Sequence, residues 1–151
     1  MFETMSEYGG IGLAGPQVHE SLQIFVAGLR HAQPAGDESV ADMNDDTDMP
    51  FIALINPEVT LVDPPTHDGW EGCLSIPDIR GLVPRSHEVQ VRAYLRDGRK
   101  VELRAQGLPA RVIQHEHDHL EGILFFDRMK SFESLTFMEE FRRYWSEDDD
   151  E

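Results

Sequence analysis

Residues 114–122 place the strongest constraint on what this chain can fold into. They contain the pattern His-Glu-x-x-His, with His115 and His119 as its histidines and Glu116 as its glutamate. Residues four apart lie on the same face of an α-helix, so both imidazoles can reach one cation. Glu116 stands where its carboxylate can face a water without binding the cation itself. The stretch therefore predicts a helix that carries two metal ligands and a general base.

The flanking residues favour the helix. Pro109 precedes the pattern, and proline suits the first helical position because its missing N–H would be unbonded there anyway. Gly122 is a suitable end. The alternative is a buried helix with ordinary packing histidines, since His-Glu-x-x-His also occurs by chance. Residues at three- and four-residue spacing describe one helical face: Val112, His115, Glu116, His119 and Ile123.

A third metal ligand has to come from elsewhere in the chain. The metzincin pattern would need a histidine at Phe125. A thermolysin-like site would need a downstream glutamate, but Glu139 and Glu140 lie in residues 132–145, which we predict to be a terminal helix packed on the body. A lone cysteine is more often a small buried residue than a ligand. Here the Cys73 thiolate would complete a Cys/His/His site with an open position for water.

Length and composition predict one domain, residues 1–151, that acts in a reducing compartment. No stretch approaches the ~20 apolar residues of a membrane span. The N-terminus lacks the layout of a signal peptide, so we expect a cytoplasmic protein that does not bind membranes.

The formal net charge of −16 argues against a nucleic-acid partner, because phosphate binding needs clustered lysine and arginine. Residues 37–48 hold six acidic residues, and we expect them to form a surface insertion. Residues 147–151 are five acidic residues in a row, and we expect residues 146–151 to be a disordered tail.

The remaining patterns predict an α+β fold with antiparallel strands packed around the metal-binding helix. There is no alternating β-α-β order, and Asp97-Gly98 is a strong hairpin turn that leads into the helix. Pro57 is expected to separate two short strands. The predicted segments are an N-terminal helix at 1–8 and strands at 22–29, 51–56, 59–62, 89–95 and 101–104.

A glycine-rich run at residues 10–18 is a weak signal by itself. It lacks the Gly-x-x-x-x-Gly-Lys pattern of a phosphate loop. Gln17 in this run can present an amide to a reacting oxygen. The alternative is an ordinary loop.

Three stretches in this order resemble the signature motifs of peptide deformylases, which remove the formyl group from the formyl-methionine of new proteins. They are Gly-Ile-Gly-Leu-Ala-Gly-Pro-Gln at 10–17, Glu-Gly-Cys-Leu-Ser-Ile-Pro at 71–77 and Gln-His-Glu-His-Asp-His-Leu-Glu-Gly at 114–122. The resemblance implies that Cys73, His115 and His119 bind one divalent metal ion. Ferrous iron is the ion expected first, with zinc, nickel or cobalt as alternatives.

The resemblance also implies the roles of the other site residues. Glu116 would be the general acid and base. The Gln17 side chain and the Leu74 N–H would stabilise the developing oxyanion. Substrate would contact a further set of residues: Ile11, Gly12, Gly72, Leu108 and Val112.

The expected partners are formylated nascent chains and the ribosome near its exit tunnel. The chain departs from the family pattern at Gly15, where alanine is usual. It also begins inside the expected N-terminal helix, and we expect a lower melting temperature than for an extended version. Two alternatives remain open: a zincin-like peptidase, and a metal-binding module with little or no activity.

Three other residues carry smaller expectations. His117 should face away from the metal. Asp118 should pair with a basic residue such as Arg80 or Arg85 and brace the helix. Trp70 should be a packing residue.

Overall fold

The structure is a computed structural model that describes residues 1–29, 42–44 and 49–146. It confirms the α+β class, with strands that pair antiparallel in two sheets. The strands are β1 (Gly12–Ala14), β2 (Ile24–Ala27), β3 (Ile52–Leu61), β4 (His67–Cys73), β5 (Ile76–Arg85), β6 (Glu88–Tyr94), β7 (Lys100–Gln106) and β8 (Thr136–Phe137). The helices are α1 (Phe2–Glu7), a 3₁₀ helix (Gly15–Val18), α2 (Leu108–Leu120), α3 (Phe125–Arg128) and α4 (Met138–Tyr144).

The first sheet has the strand order β1-β2-β3-β6-β7, which leaves β1 at an edge. Strand β6 shows why these segments form a sheet with one buried face. Val89, Val91 and Ala93 are buried, whereas the residues between them are exposed. This alternation is the signature of a strand with one face on the core.

Strand β3 corrects the prediction of two short strands broken by Pro57. It runs continuously, and its register with β6 shifts between Ile55 and Glu58. Asn56 has a φ of 49°, which marks the bulge. Proline cannot donate a ladder hydrogen bond, so within a sheet it is tolerated at such a bulge. The strand therefore bends at Pro57 instead of ending there.

Helix α2 confirms the helix predicted for the His-Glu-x-x-His pattern and lies over the first sheet. It begins after Gly107, whose φ is 67°, and Pro109 occupies its first turn. It ends at Leu120, so Ile123 lies beyond the helix. Its buried apolar residues join the core of the sheet: Ala110, Val112, Ile113 and Leu120, packed with Phe25, Leu54, Val91 and Leu103.

The second sheet has the order β4-β5-β8, and its β4–β5 hairpin is held against α2 by Arg111. Arg111 donates from Nη1 to the Val83 carbonyl at 2.8 Å and from Nη2 to the His67 carbonyl at 2.7 Å. Cys73 is the last residue of β4, next to the hairpin turn. The hairpin therefore carries the cysteine to the helix that bears the two histidines.

The C-terminal region corrects the prediction of one helix over residues 132–145. Only α4 is helical there, and β8 precedes it and pairs with β5, with Phe137 opposite Ile79. Pairing with the open edge of β5 satisfies backbone groups that a longer helix would otherwise have satisfied. The sequence pattern of residues 132–137 did not reveal this pairing.

The acidic segment at 37–48 is described only at residues 42–44, where Met43 joins the core and its two neighbours are exposed. Met43 is 1% exposed, its N–H donates to the Arg104 carbonyl, and its carbonyl accepts from the Gln106 N–H. The expectation of a surface insertion therefore does not hold for Met43. The rest of that segment and residues 147–151 lie outside the described residues. No helix in the described part is long and apolar enough to cross a membrane.

Candidate metal centre

Helix α2 and the β4–β5 hairpin bring together the three residues expected to bind a metal. One ligand atom from each of Cys73, His115 and His119 lies within 4.8 Å of the others. The Cys73 Sγ is 3.3 Å from the His119 Nε2. The His115 Nδ1 is 2.8 Å from the Glu71 Oε1, which leaves its Nε2 for a cation. The chain therefore presents one sulfur and two ring nitrogens to a common point.

The charges of these side chains suit a divalent cation. Burial by itself raises the pKa of the Cys73 thiol, but hydrogen bonds with His115 and His119 outweigh it and lower the pKa to about 5. Burial lowers the pKa of His115, but its hydrogen bonds with Cys73 and Glu71 raise it to about 10. These shifts favour the thiolate form of Cys73, which is the form that binds a divalent ion, whereas a bound ion has to displace the proton from His115.

Glu116 lies beside this ligand set with one carboxylate oxygen unused. The residue is 4% exposed, and its Oε2 has no hydrogen-bond partner among the described residues. Burial raises the pKa of this carboxyl to about 7. A buried carboxylate oxygen without a partner is costly unless a ligand meets it. Thiolate and imidazole donors next to such an oxygen fit a divalent transition metal.

Gly12 lets the Glu116 carboxylate occupy this position. A Cβ added to Gly12 would lie 2.7 Å from the Glu116 Cδ and 2.8 Å from its Cγ, closer than real contacts allow. The family resemblance implies only a substrate contact for Gly12. The structure shows that it also makes room for the candidate base.

Gln17 is held with its amide nitrogen toward the site. Its Oε1 accepts a hydrogen bond from the Ala14 N–H at 2.8 Å, which sets the orientation of the amide. Its Nε2 lies 2.9 Å from the Ser75 Oγ and 3.7 Å from the Cys73 Sγ. The amide can therefore donate to an oxygen that approaches the ligand set.

A buried network braces His115, and sequence reasoning missed its central residue, Glu71. Arg85 donates to both Glu71 oxygens at 2.9 Å and to the Asp118 Oδ2 at 2.6 Å. Burial raises the pKa of Glu71, but hydrogen bonds with His115 and Arg85 outweigh it and lower the pKa to about 2. Asp118 thus pairs with Arg85, one of its two expected partners, and also with Arg128 at 3.0 Å. The only signal for Glu71 was its place at the start of the cysteine motif.

Replacing Arg85 by methionine should destabilise the protein by about 3 kcal/mol, because the buried carboxylates of Glu71 and Asp118 lose the guanidinium with which they both pair. Urea unfolding followed by circular dichroism measures the change. Arg92→Met is the matched control: Arg92 pairs with Glu102 at 3.0 Å, but both side chains are more than 70% exposed. This control should cost about 0.5 kcal/mol. Equal costs for the two variants would show that the network does not stabilise the fold.

A cleft of about 710 Å³ opens onto the ligand set. Every residue expected to contact substrate lines this cleft. These are Ile11, Gly12, Gly72, Leu108 and Val112, together with Gln17, Leu74 and Glu116. Trp70 also lines the cleft, in addition to packing edge-on against Phe141 with ring centres 5.0 Å apart. His117 is not among the cleft residues, in agreement with its expected direction.

Comparison with known proteins decides the family of this chain. The sequence model described as polypeptide deformylase matches residues 1–134. The chain belongs to the polypeptide deformylase family. Peptide deformylase 2 of Pseudomonas syringae pv. tomato is 38% identical over 139 residues, which are 92% of this chain and 73% of that protein.

Solved peptide deformylases share the fold. The crystal structure of the Thermotoga maritima enzyme superposes with a TM-score of 0.71 at 38% identity, over 87% of this chain and 77% of that one. A class I type b peptide deformylase from Acinetobacter baumannii, crystallised with Met-Ala-Ser, also gives a TM-score of 0.71 at 38% identity, over 85% and 76% of the two chains. Deformylases are metal-dependent, which agrees with the Cys/His/His ligand set.

Proposed function

We propose that this chain removes the N-formyl group from formyl-methionine at the start of nascent polypeptides and releases formate. One observation carries the proposal: the buried Glu116 Oε2 has no hydrogen-bond partner in the described part of the chain and lies beside a converging Cys73, His115 and His119 ligand set. Hydrolysis of a formamide needs a water, a base for its proton and donors for the oxyanion. The site offers a residue for each need.

Cys73, His115 and His119 would hold the divalent ion. When bound, such an ion acts as a Lewis acid and lowers the pKa of water at the site toward ~7. Glu116 takes the proton of the attacking water and passes it to the departing amine. The Gln17 amide and the Leu74 N–H donate to the formyl oxygen as negative charge develops on it.

The substrate backbone is proposed to add a strand at β1, the open edge of the first sheet. Ile11 and Gly12 would contribute this edge, and Gly72 would line the opposite wall. The methionine side chain would lie against Leu108 and Val112. Support comes from the Met-Ala-Ser found in the Acinetobacter relative, because this peptide corresponds to a deformylated product.

The proposed native ion is ferrous iron, and the proposed setting is the cytoplasm, close to the ribosome exit. A soft thiolate with two imidazoles also suits zinc, nickel and cobalt. Loading the protein anaerobically with each ion in turn, followed by metal analysis and kinetics, identifies the ion that supports turnover. Co-sedimentation with ribosomes tests the proposed setting.

Formate release from formyl-Met-Ala-Ser is the direct assay of the proposed function. A zincin-like peptidase would instead cleave unformylated peptides at internal bonds. A metal-binding module without activity would release no formate, whichever metal ion it is loaded with. Either result would overturn the proposal.

Gly12→Ala should lower kcat by about 100-fold, because the added methyl displaces the Glu116 carboxylate and small misplacements of a reacting group are costly. Steady-state kinetics with metal content measured in parallel checks this. Gly10→Ala is the comparison, because the closest atom to its Cβ would be the flexible end of the Leu74 side chain, at 2.9 Å. Its loss should be clearly smaller. Equal losses for the two variants would contradict the role given to Gly12.

A further inference from the structure

Helix α4 (Met138–Tyr144) forms one wall of the cleft, although it lies beyond the residues matched by the family model. Met138 and Arg142 of α4 line the cleft, together with Arg80 of β5. The helix is anchored by Phe141, whose ring packs against Trp70 and lies 5.3 Å below the Arg80 Cζ. The side chains that this wall brings to the cleft have no role in the proposed reaction.

Two of these side chains, Arg80 and Arg142, are cations that form no ion pair with any described residue. The other arginines near the metal centre, Arg85, Arg111 and Arg128, pair with Glu71 or Asp118. Within the described part of the chain, no carboxylate forms an ion pair with Arg80 or Arg142. The Arg80 Nε donates a hydrogen bond to the Met138 Sδ at 3.2 Å. A thioether sulfur is a weak acceptor. Asp78 is exposed on the same rim and pairs with neither arginine.

Arg80 and Arg142 carry like charges that repel each other. Arg80 is half-buried; burial, and then the charge of Arg142, lower its pKa. The two guanidinium groups therefore raise each other's free energy, and a carboxylate between them would relieve the repulsion. Guanidinium groups also match carboxylates in shape and can bind them through paired hydrogen bonds.

The rim lies within reach of a bound peptide. A Cβ added to Gly72 would be 3.5 Å from the Arg80 Cγ and 3.7 Å from its Cζ, so the guanidinium lies beside the residue that precedes Cys73. A residue of extended chain spans ~3.3 Å. The residues that follow formyl-methionine can therefore pass close to Arg80.

We propose that Arg80 and Arg142 bind a carboxylate of the substrate after formyl-methionine, so that the chain prefers nascent chains with an early acidic residue. This inference rests on the proposed function. A second source of the same chemistry is the acidic run at residues 147–151 of the chain itself. The experiment separates the two sources.

The test uses C-terminally amidated formyl-methionyl tetrapeptides that carry one aspartate at position 2, 3 or 4, each compared with its asparagine counterpart. At low salt, kcat/KM should favour aspartate by about fivefold at one position, mainly through KM, because one partly screened ion pair contributes about that much. Arg142→Gln should bring the ratio close to one. Arg143→Gln is the matched control: it neighbours Arg142 on α4 but pairs with Glu139 and Glu140, and it should keep the ratio.

Removal of residues 147–151 identifies the source. If the full chain already prefers aspartate peptides, the rim is free to bind substrate. If the preference for aspartate appears only after residues 147–151 are removed, the acidic run competes with substrate for the rim. A ratio near one at every position in both proteins would overturn the proposal. So would a preference that survives Arg142→Gln.

A binding measurement separates this proposal from the proposed function. If no peptide releases formate, the proposed function fails, and tryptophan fluorescence then tests the rim alone, because Trp70 lines the same cleft. The ligands are the deformylated forms of the amidated peptides with aspartate at position 2, 3 or 4, and at one position the aspartate peptide should bind about fivefold more tightly than its asparagine counterpart. The rim proposal would be overturned if the aspartate and asparagine peptides bound equally well to the full chain, and also equally well to the chain without residues 147–151.

Discussion

Replacing Glu116 by glutamine should reduce kcat by about 1,000-fold or more while the protein keeps its metal. Glutamine has nearly the same size, so it fits the space beside Gly12, but it cannot accept the proton of the attacking water. The carboxyl group has a pKa raised by burial to about 7, which suits a group that takes and then gives a proton near neutral pH. The measurement is single-turnover formate release with metal content determined on the same sample.

Glu121→Gln is the matched control for this prediction. Glu121 caps the C-terminus of the same helix and is exposed, so its loss removes the same charge without touching the ligand set. It should leave kcat within about twofold of the unmodified protein, as surface substitutions usually have small effects. A Glu116→Gln protein with full metal content and unchanged kcat would remove Glu116 from the mechanism.

Replacing Cys73 by alanine should abolish stable metal binding and with it all formate release. The cysteine supplies one of three protein donors, and its thiol has a pKa lowered to about 5, so the proposed ligand is an anionic sulfur at neutral pH. Without it, two imidazoles remain, which rarely hold a divalent ion alone. Metal analysis after dialysis measures the loss, and cobalt-loaded protein should lose its sulfur-to-cobalt charge-transfer absorption.

His117→Ala is the comparison for the cysteine variant. His117 lies within the same helical motif but is not among the three convergent residues, so this variant should keep a full equivalent of metal. A peptidase that used a downstream glutamate as its third ligand would also keep metal after Cys73→Ala. That outcome would contradict the Cys/His/His centre.

The sequence alone determined the parts of this protein that depend on local geometry. The spacing of His115 and His119 implies a shared helical face, because four residues make about one helical turn. The alternation in β6 and the Asp97-Gly98 turn predicted a hairpin, and the hairpin is observed. Three ordered motifs indicated the family, and the comparisons confirm it. The same local reasoning was wrong at Pro57 and at residues 132–137, where pairing with a neighbouring strand overrides the local pattern.

Only the tertiary structure decided which distant side chains meet. Cys73 comes within 3.3 Å of His119 across 46 residues of sequence separation because the β4–β5 hairpin packs on α2. The same packing buries Glu71 with Arg85 and leaves Arg80 beside Arg142 without an anionic partner among the described residues. Contacts of this kind depend on how sheets and helices pack together, and neither residue type nor spacing along the chain specifies that packing.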